Sequence, residues 1–288
     1  MISLSLAALL VIHNVMPAFW KAYSAPPAQR VAQVKQLVIM PNLAVYANGE
    51  FSNDLTDDAI SSYLLMLEPK EQALRAKSAQ IAQALPGAIA SVQAGLPDLD
   101  LSKIQFWILP SFSHFNGQTT DVPHGTGVLF DADGVLQYGP QNFSVIVAHE
   151  LFHIYQHQTH PGASSDTQSV WAASWNEGTA AYASQMLVKG ATMTDALDET
   201  LVNTGAATTK SLACFIQKNW DSHSGHSISA MIVDGDHPDG MPTRGGYLIG
   251  YLAAKEFAAS HTLAQIGSSP SDVAEAAMKT TATRLCPQ

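Results

Sequence analysis

The sequence predicts an α+β protein with a small sheet in its first half and helices through most of its second. Three observations predict this. Residues 104–109 (IQFWIL) and 126–131 (TGVLFD) have the aromatic and β-branched content of strands, and they end at Pro110 and at the turn residues Asp133-Gly134. From Pro140 onward the apolar residues recur at helical spacing, interrupted by a loop over about residues 221–244. With 47% hydrophobic and only 13% charged residues, the chain of 288 residues has apolar material for one sizeable core or two modest ones.

The elements follow in order. Residues 2–12 (ISLSLAALLVI) form an apolar run of the length of a signal-peptide core, and Ala22-Tyr23-Ser24 offers small residues for a peptidase. A leader over about residues 1–25 is therefore expected, with a secreted or periplasmic mature chain. No Lys or Arg precedes the run, so a buried first helix is the alternative. The mature residues 26–288 are expected to form a single domain, with a sheet-containing lobe over about 26–139 and a helical lobe over about 140–288. Residues 36–46 (QLVIMPNLAVY) read as extended, although Pro41 breaks them. Residues 54–67 and 68–85 read as two helices, with Asp57 and Asp58 where a helix N-terminus favours acids. Residues 111–125 read as a polar loop, in which Asn116-Gly117 with Thr119 and Thr120 could serve as a flap. Residues 234–240 (DGDHPDG) carry acids that could hold calcium, but their spacing is not that of an EF-hand loop and a turn suffices. Cys214 and Cys286 are either one disulfide or two quiet thiols.

Charge excludes one class of partner. The chain has 14 basic and 24 acidic residues, a formal charge of −10, and no Lys/Arg cluster of the kind a phosphate backbone requires, so nucleic acid is not expected. Past the N-terminus no run of 18 apolar residues occurs, so no membrane span is expected in the mature chain. The sequence leaves the oligomeric state open.

The chemistry lies in the helix after the sheet. Gly139-Pro140 marks its expected start, and Val145, Ile146, Ala148, Leu151, Phe152, Ile154 and Tyr155 make it nearly all apolar. Within it stands His149-Glu150-Leu151-Phe152-His153. Helical residues four apart share a face, so both imidazoles reach one metal while Glu150 projects from the same turn towards a water. A shuffled chain of this composition would contain the pattern about once in a hundred. Two His and a Glu in an apolar helix are costly to bury unpaired, and a metal with its solvent ligand removes that cost.

A catalytic zinc typically takes three protein ligands and a water. A third imidazole ten residues after His149, with a Gly seven after it, would continue one known pattern, but Thr159 and Gln156 stand there. His157 is rotated about 80° off the metal-binding face. His160 precedes Pro161-Gly162, where the helix should have ended. Glu177, at the head of the next apolar helical stretch, is the best candidate. Ser174 with Glu177 also fits a capping box, which would spend the carboxylate on the backbone.

The order HELFH, then about two dozen residues, then Trp175-Asn176-Glu177-Gly178-Thr179-Ala180-Ala181-Tyr182, resembles the gluzincins, and within them the peptidase-MA-like group whose second motif reads E-G-x-A-x-Y. Residues 242–251 (PTRGGYLIGY) resemble the R-x-G-Y-x-x-G-Y segment of bacterial zinc-dependent proteases of a domain-of-unknown-function family. The resemblance covers roughly residues 104–259 and implies a zincin-like fold and peptide-bond hydrolysis, with one zinc on His149, His153 and Glu177 and a peptide or protein substrate. Glu150 would take the proton from the attacking water and pass it to the leaving amine. Related folds take an oxyanion donor from a later helix. Tyr247 fits best, with Tyr251, His223 or His226 as alternatives. Asn176 and Tyr182 are the expected supports for the ligands. The motif fixes the activated water and not the acyl group, so a zinc hydrolase of another substrate, or a binding protein on the same scaffold, stands as the alternative.

Overall fold

The computed structural model describes residues 10–47, 55–139, 142–160, 169–233 and 240–287. The chain is α+β and divides into two compact units: Met1–Gly87 with Asp100–Gly139, and Ala88–Leu99 with Pro140–Gln288. The calcium-loop acids at 234–239 and the expected Pro140 helix start lie outside the described residues.

The first unit opens with strand β1 (Val11–Asn14) and helices α1 (Met16–Tyr23) and α2 (Pro27–Val34). Phe19, Ala22 and Tyr23 of α1 are buried in its core. Cleavage after Ser24 would remove β1 and α1 together. The expected extended segment 36–46 is instead helical: a π-type turn (Lys35–Ile39), a 3-10 turn (Met40–Asn42) and α3 (Leu43–Tyr46) follow one another. The reason is that Val34, Val38, Val45 and Tyr46 reach the core by helical spacing, and Pro41 sits at the start of the 3-10 turn, where it needs no hydrogen-bonded N–H.

Helix α4 (Asp57–Leu67) is capped by Thr56, whose hydroxyl accepts from the Ala59 N–H. Helix α5 (Glu71–Gly95) runs past the expected end at 85, through Pro86. Ile81, Leu85, Ile89 and Val92 continue a buried stripe on both sides of the proline, and that burial outweighs the one hydrogen bond Pro86 forfeits.

Strands β2 (Ile104–Ile108), β3 (Gly117–Val122) and β4 (Gly125–Phe130) complete a sheet of order β1-β2-β4-β3. β1 and β4 each run parallel to β2, and β3 pairs antiparallel with β4. The expected polar loop 111–125 thus contains β3. Its Thr119 and Thr120 are ladder residues opposite Val128 and Gly127, so they belong to a strand and not to a loop. An edge strand half open to solvent carries no apolar alternation, so its sequence looked like loop.

Helix α6 (Ala132–Tyr138) replaces the expected turn at Asp133-Gly134, because Asp131 caps it through the Asp133 N–H. Asp131 also accepts from the Ser111 N–H at 3.0 Å and the Ser111 hydroxyl at 2.6 Å, and Lys70 faces the fully buried Asp133 at 2.6 Å.

The second unit is helical: α7 (Phe143–Thr159), α8 (Val170–Leu187), α9 (Met193–Leu197), α10 (Glu199–Val202), α11 (Ala206–Lys218), α12 (Gly225–Ile232), α13 (Gly245–Phe257), α14 (Leu263–Gly267) and α15 (Ser271–Leu285). The expected loop 221–244 contains α12. A disulfide joins Cys214 of α11 to Cys286 beyond α15. Closing a loop of 72 residues stabilises the fold by about 4 kcal/mol in the chain-entropy account. No helix among the described residues is long and apolar enough to cross a membrane.

Burial pushes the Asp131 carboxyl up to about 6, against the pull of its hydrogen bonds from Ser111 and Asp133. An unfolded Asp titrates near ~3.9, so between these values the folded chain holds a proton that the unfolded chain has released. Stability from this group is therefore greatest below about pH 4 and declines as pH rises through about 6. Thermal midpoints of wild type and Asp131→Asn, compared from pH 4 to 7, should show the variant gaining on wild type as pH rises. A difference that stays constant with pH would contradict the burial account.

Candidate metal centre

Helix α7 begins at Phe143, where the Asn142 side chain accepts from the Ser144 N–H at 3.1 Å. Val145, Ile146, Val147, Ala148, Leu151, Phe152, Ile154 and Tyr155 bury most of its circumference. Between them runs a half-buried polar stripe, His149, Glu150, His153 and Gln156. The 3.6-residue period alone sets these four on one side.

Helix α8 brings Glu177 against that stripe. His149 Nε2 lies 3.2 Å from Glu177 Oε2, His153 Nε2 lies 3.4 Å from it, and the two Nε2 atoms are 3.0 Å apart. These distances test the site for a metal. Ligands about 2.0–2.1 Å from a tetrahedral zinc stand about 3.3 Å from one another. The triangle therefore has the size of one tetrahedral face, and its two nitrogens and one oxygen are the donor types of a catalytic zinc site. Among the described residues this is the group of His and carboxylate side chains that could hold an ion.

Electrostatics within the triangle agree with that. Burial penalises a charged His153 ring, but the charge and hydrogen bond of Glu177, then Glu150 and Gln156, outweigh it and raise His153 to about 9. Burial likewise opposes the Glu177 carboxylate, yet His153 and His149 hold it well below its usual range. The site thus stabilises positive charge at its centre.

Tyr247 of α13 lies beside it. Its ring is parallel to that of His149 within 9°, at 6.0 Å between centroids. Burial and then the charge of Glu177 raise its hydroxyl well above the ordinary value, against a smaller pull from Arg244. Arg244 precedes α13 in left-handed backbone conformation (φ 56°) and stacks its guanidinium 4.1 Å above the Tyr247 ring. This juxtaposition depends on glycines. A Cβ on Gly178 would stand 2.2 Å from the Gly250 backbone, and one on Gly250 would stand 1.8 Å from the Ser174 carbonyl oxygen. Helices α8 and α13 therefore cross backbone to backbone, directly beside Glu177, and no side chain holds them apart.

The remaining sequence candidates lie elsewhere. Ser174 is four residues inside α8 and donates to the Val170 carbonyl at 2.8 Å, so the capping box with Glu177 does not form. Tyr251 donates instead to Gln185. His223 and His226 are exposed, as is His157, and His160 ends α7 as its C-cap. None of these four histidines belongs to the described metal-capable group. Tyr182 packs edge-on against Tyr251 at 5.5 Å, and no described hydrogen bond joins it or Asn176 to the three ligands. Sequence reasoning missed Gln156, whose Oε1 is 3.2 Å from His153 Nδ1. Its place on the polar stripe of α7, one turn beyond His153, was the available signal.

No curated protein and no solved structure matches the chain. One family model does, over residues 42–231, which is more than half of the chain and includes His149, Glu150, His153 and Glu177 while ending before Tyr247. The chain belongs to the family described as "Putative zinc dependent peptidase (DUF5700)".

Proposed function

We propose that the protein is a zinc metallopeptidase of the gluzincin, peptidase-MA-like type, holding one zinc per chain on His149, His153 and Glu177. The observation that carries this reading is the ligand triangle, with sides of 3.0, 3.2 and 3.4 Å. Zinc supplies a Lewis acid that polarises the scissile carbonyl and lowers the pKa of water to about 7. Glu150 projects from the same turn as His149 and acts as the base: its carboxylate takes the proton of the attacking water and delivers it to the leaving amine. Tyr247, kept protonated by burial and by Glu177, donates its hydroxyl hydrogen to the developing oxyanion. Peptide or protein is the substrate. The Cys214–Cys286 disulfide supports an oxidising compartment and therefore a secreted or periplasmic enzyme.

Metal analysis and digestion of a peptide library test the assignment together. The purified protein should carry close to one zinc, His149→Ala and His153→Ala should lose it, and Glu177→Gln should bind it far more weakly because a neutral amide replaces an anion. Full zinc content in any of these variants would remove that residue from the ligand set. Glu150→Gln should keep zinc and lose nearly all hydrolysis, and near-normal turnover would end its role as base. Tyr247→Phe should keep zinc and lower kcat by about 10²–10³ with little change in KM, the cost typical of one lost oxyanion donor.

A further inference from the structure

We propose that Gln156 is a positioning residue for His153, and that Thr179 sets which way its amide faces. This rests on the reading of His153 as a zinc ligand. A series of hydrogen bonds runs from the backbone of α8 through Thr179 and Gln156 to His153. The Thr179 hydroxyl, fully buried in α8, donates to the carbonyl oxygens of Trp175 at 2.8 Å and Asn176 at 3.0 Å. Gln156 Nε2 donates to Thr179 Oγ1 at 2.9 Å. Gln156 Oε1 stands 3.2 Å from His153 Nδ1.

The direction of the series follows from counting hydrogens. A threonine hydroxyl has one, and here it points at the preceding turn of α8, so Thr179 offers Gln156 only a lone pair. The amide must then turn its NH₂ to Thr179 and its oxygen to the imidazole. An amide oxygen only accepts, so Nδ1 of His153 carries the ring hydrogen. In the neutral ring Nε2 is then a bare lone pair, and Nε2 is the atom 3.0 Å from His149 Nε2 and 3.4 Å from Glu177 Oε2. The opposite amide orientation would call for a lone pair on Nδ1 and put a hydrogen on Nε2, inside the triangle where the cation belongs. Thr179 lies two residues beyond Glu177, so the helix that supplies the carboxylate also fixes the tautomer of an imidazole on α7. Hydrogen-bonded partners of this kind set ring orientation and ligand basicity at metal sites generally.

The test is zinc affinity of the full chain, measured by competition with a chromogenic chelator, beside the thermal midpoint of each metal-free variant. Gln156→Leu should weaken zinc binding by about ten- to a hundredfold, the usual cost of losing such a partner. Gln156→Glu, which keeps an acceptor oxygen for Nδ1, should bind zinc at least as tightly as wild type. Thr179→Val should weaken binding while Thr179→Ser does not, and Thr179→Val should add no further loss in the Gln156→Leu background, since it acts through the amide. Zinc affinity within twofold of wild type in Gln156→Leu, or an equal loss from Thr179→Val in both backgrounds, would overturn the relay. Should Gln156→Leu not fold, the near-isosteric Thr179 pair carries the same comparison, and equal affinity of its two variants would overturn the relay. His153→Ala separates the two levels: retention of wild-type affinity there would overturn the metal centre itself, whereas its loss beside an unaffected Gln156→Leu would overturn the relay alone.

Discussion

The crossing of α8 and α13 is the constraint on which the site depends. Where a side chain at Gly178 or Gly250 would collide with backbone, the two helices meet with nothing between them, and Glu177 and Tyr247 extend from this contact beside His149. An alanine at either glycine would have to displace one helix. Because protein interiors are close-packed and not continuously deformable, that displacement would be passed to the carboxylate and the phenol together. The geometry of the proposed metal ligands and that of the proposed oxyanion donor are therefore set together.

Charge is the second organising element. Two imidazole nitrogens and a carboxylate oxygen within 3.4 Å of one another concentrate lone pairs in a partly buried place. Without a compensating positive charge that arrangement is unfavourable. Against burial, the charges of Glu177 and Glu150 raise His153 to about 9, and the two histidines keep the Glu177 carboxylate well below its usual range, so the cluster favours positive charge. A divalent cation is the fuller solution for three donors spaced like a tetrahedral face. Membership of the family described as "Putative zinc dependent peptidase" agrees with that independently of any distance.

Much of this was legible in the sequence where the determining interactions are local. The i, i+4 spacing of His149 and His153 sets their common face in any helix, and the fold class followed from apolar periodicity. Glu177 was reachable as a candidate, but its rivalry with a capping box ended only with α8 beginning at Val170, upstream of Ser174. Where pairing is non-local the reading failed. β3 is polar because it is an edge, and residues 35–46 are helical because their burial is set by the surrounding core. Asn176 and Tyr182 were reasonable supports by proximity in sequence, whereas Gln156, one turn beyond His153 on α7, meets His153 Nδ1 while bonded across to Thr179 of α8.

The most direct test of the central claim is X-ray absorption at the zinc edge of the purified protein. The account predicts a single zinc per chain with two imidazole nitrogens and oxygen ligands at about 2.0–2.1 Å, and no sulfur. A shell without imidazole scattering, a shell containing sulfur, or protein that retains no zinc after exposure to it would contradict the assignment of His149, His153 and Glu177.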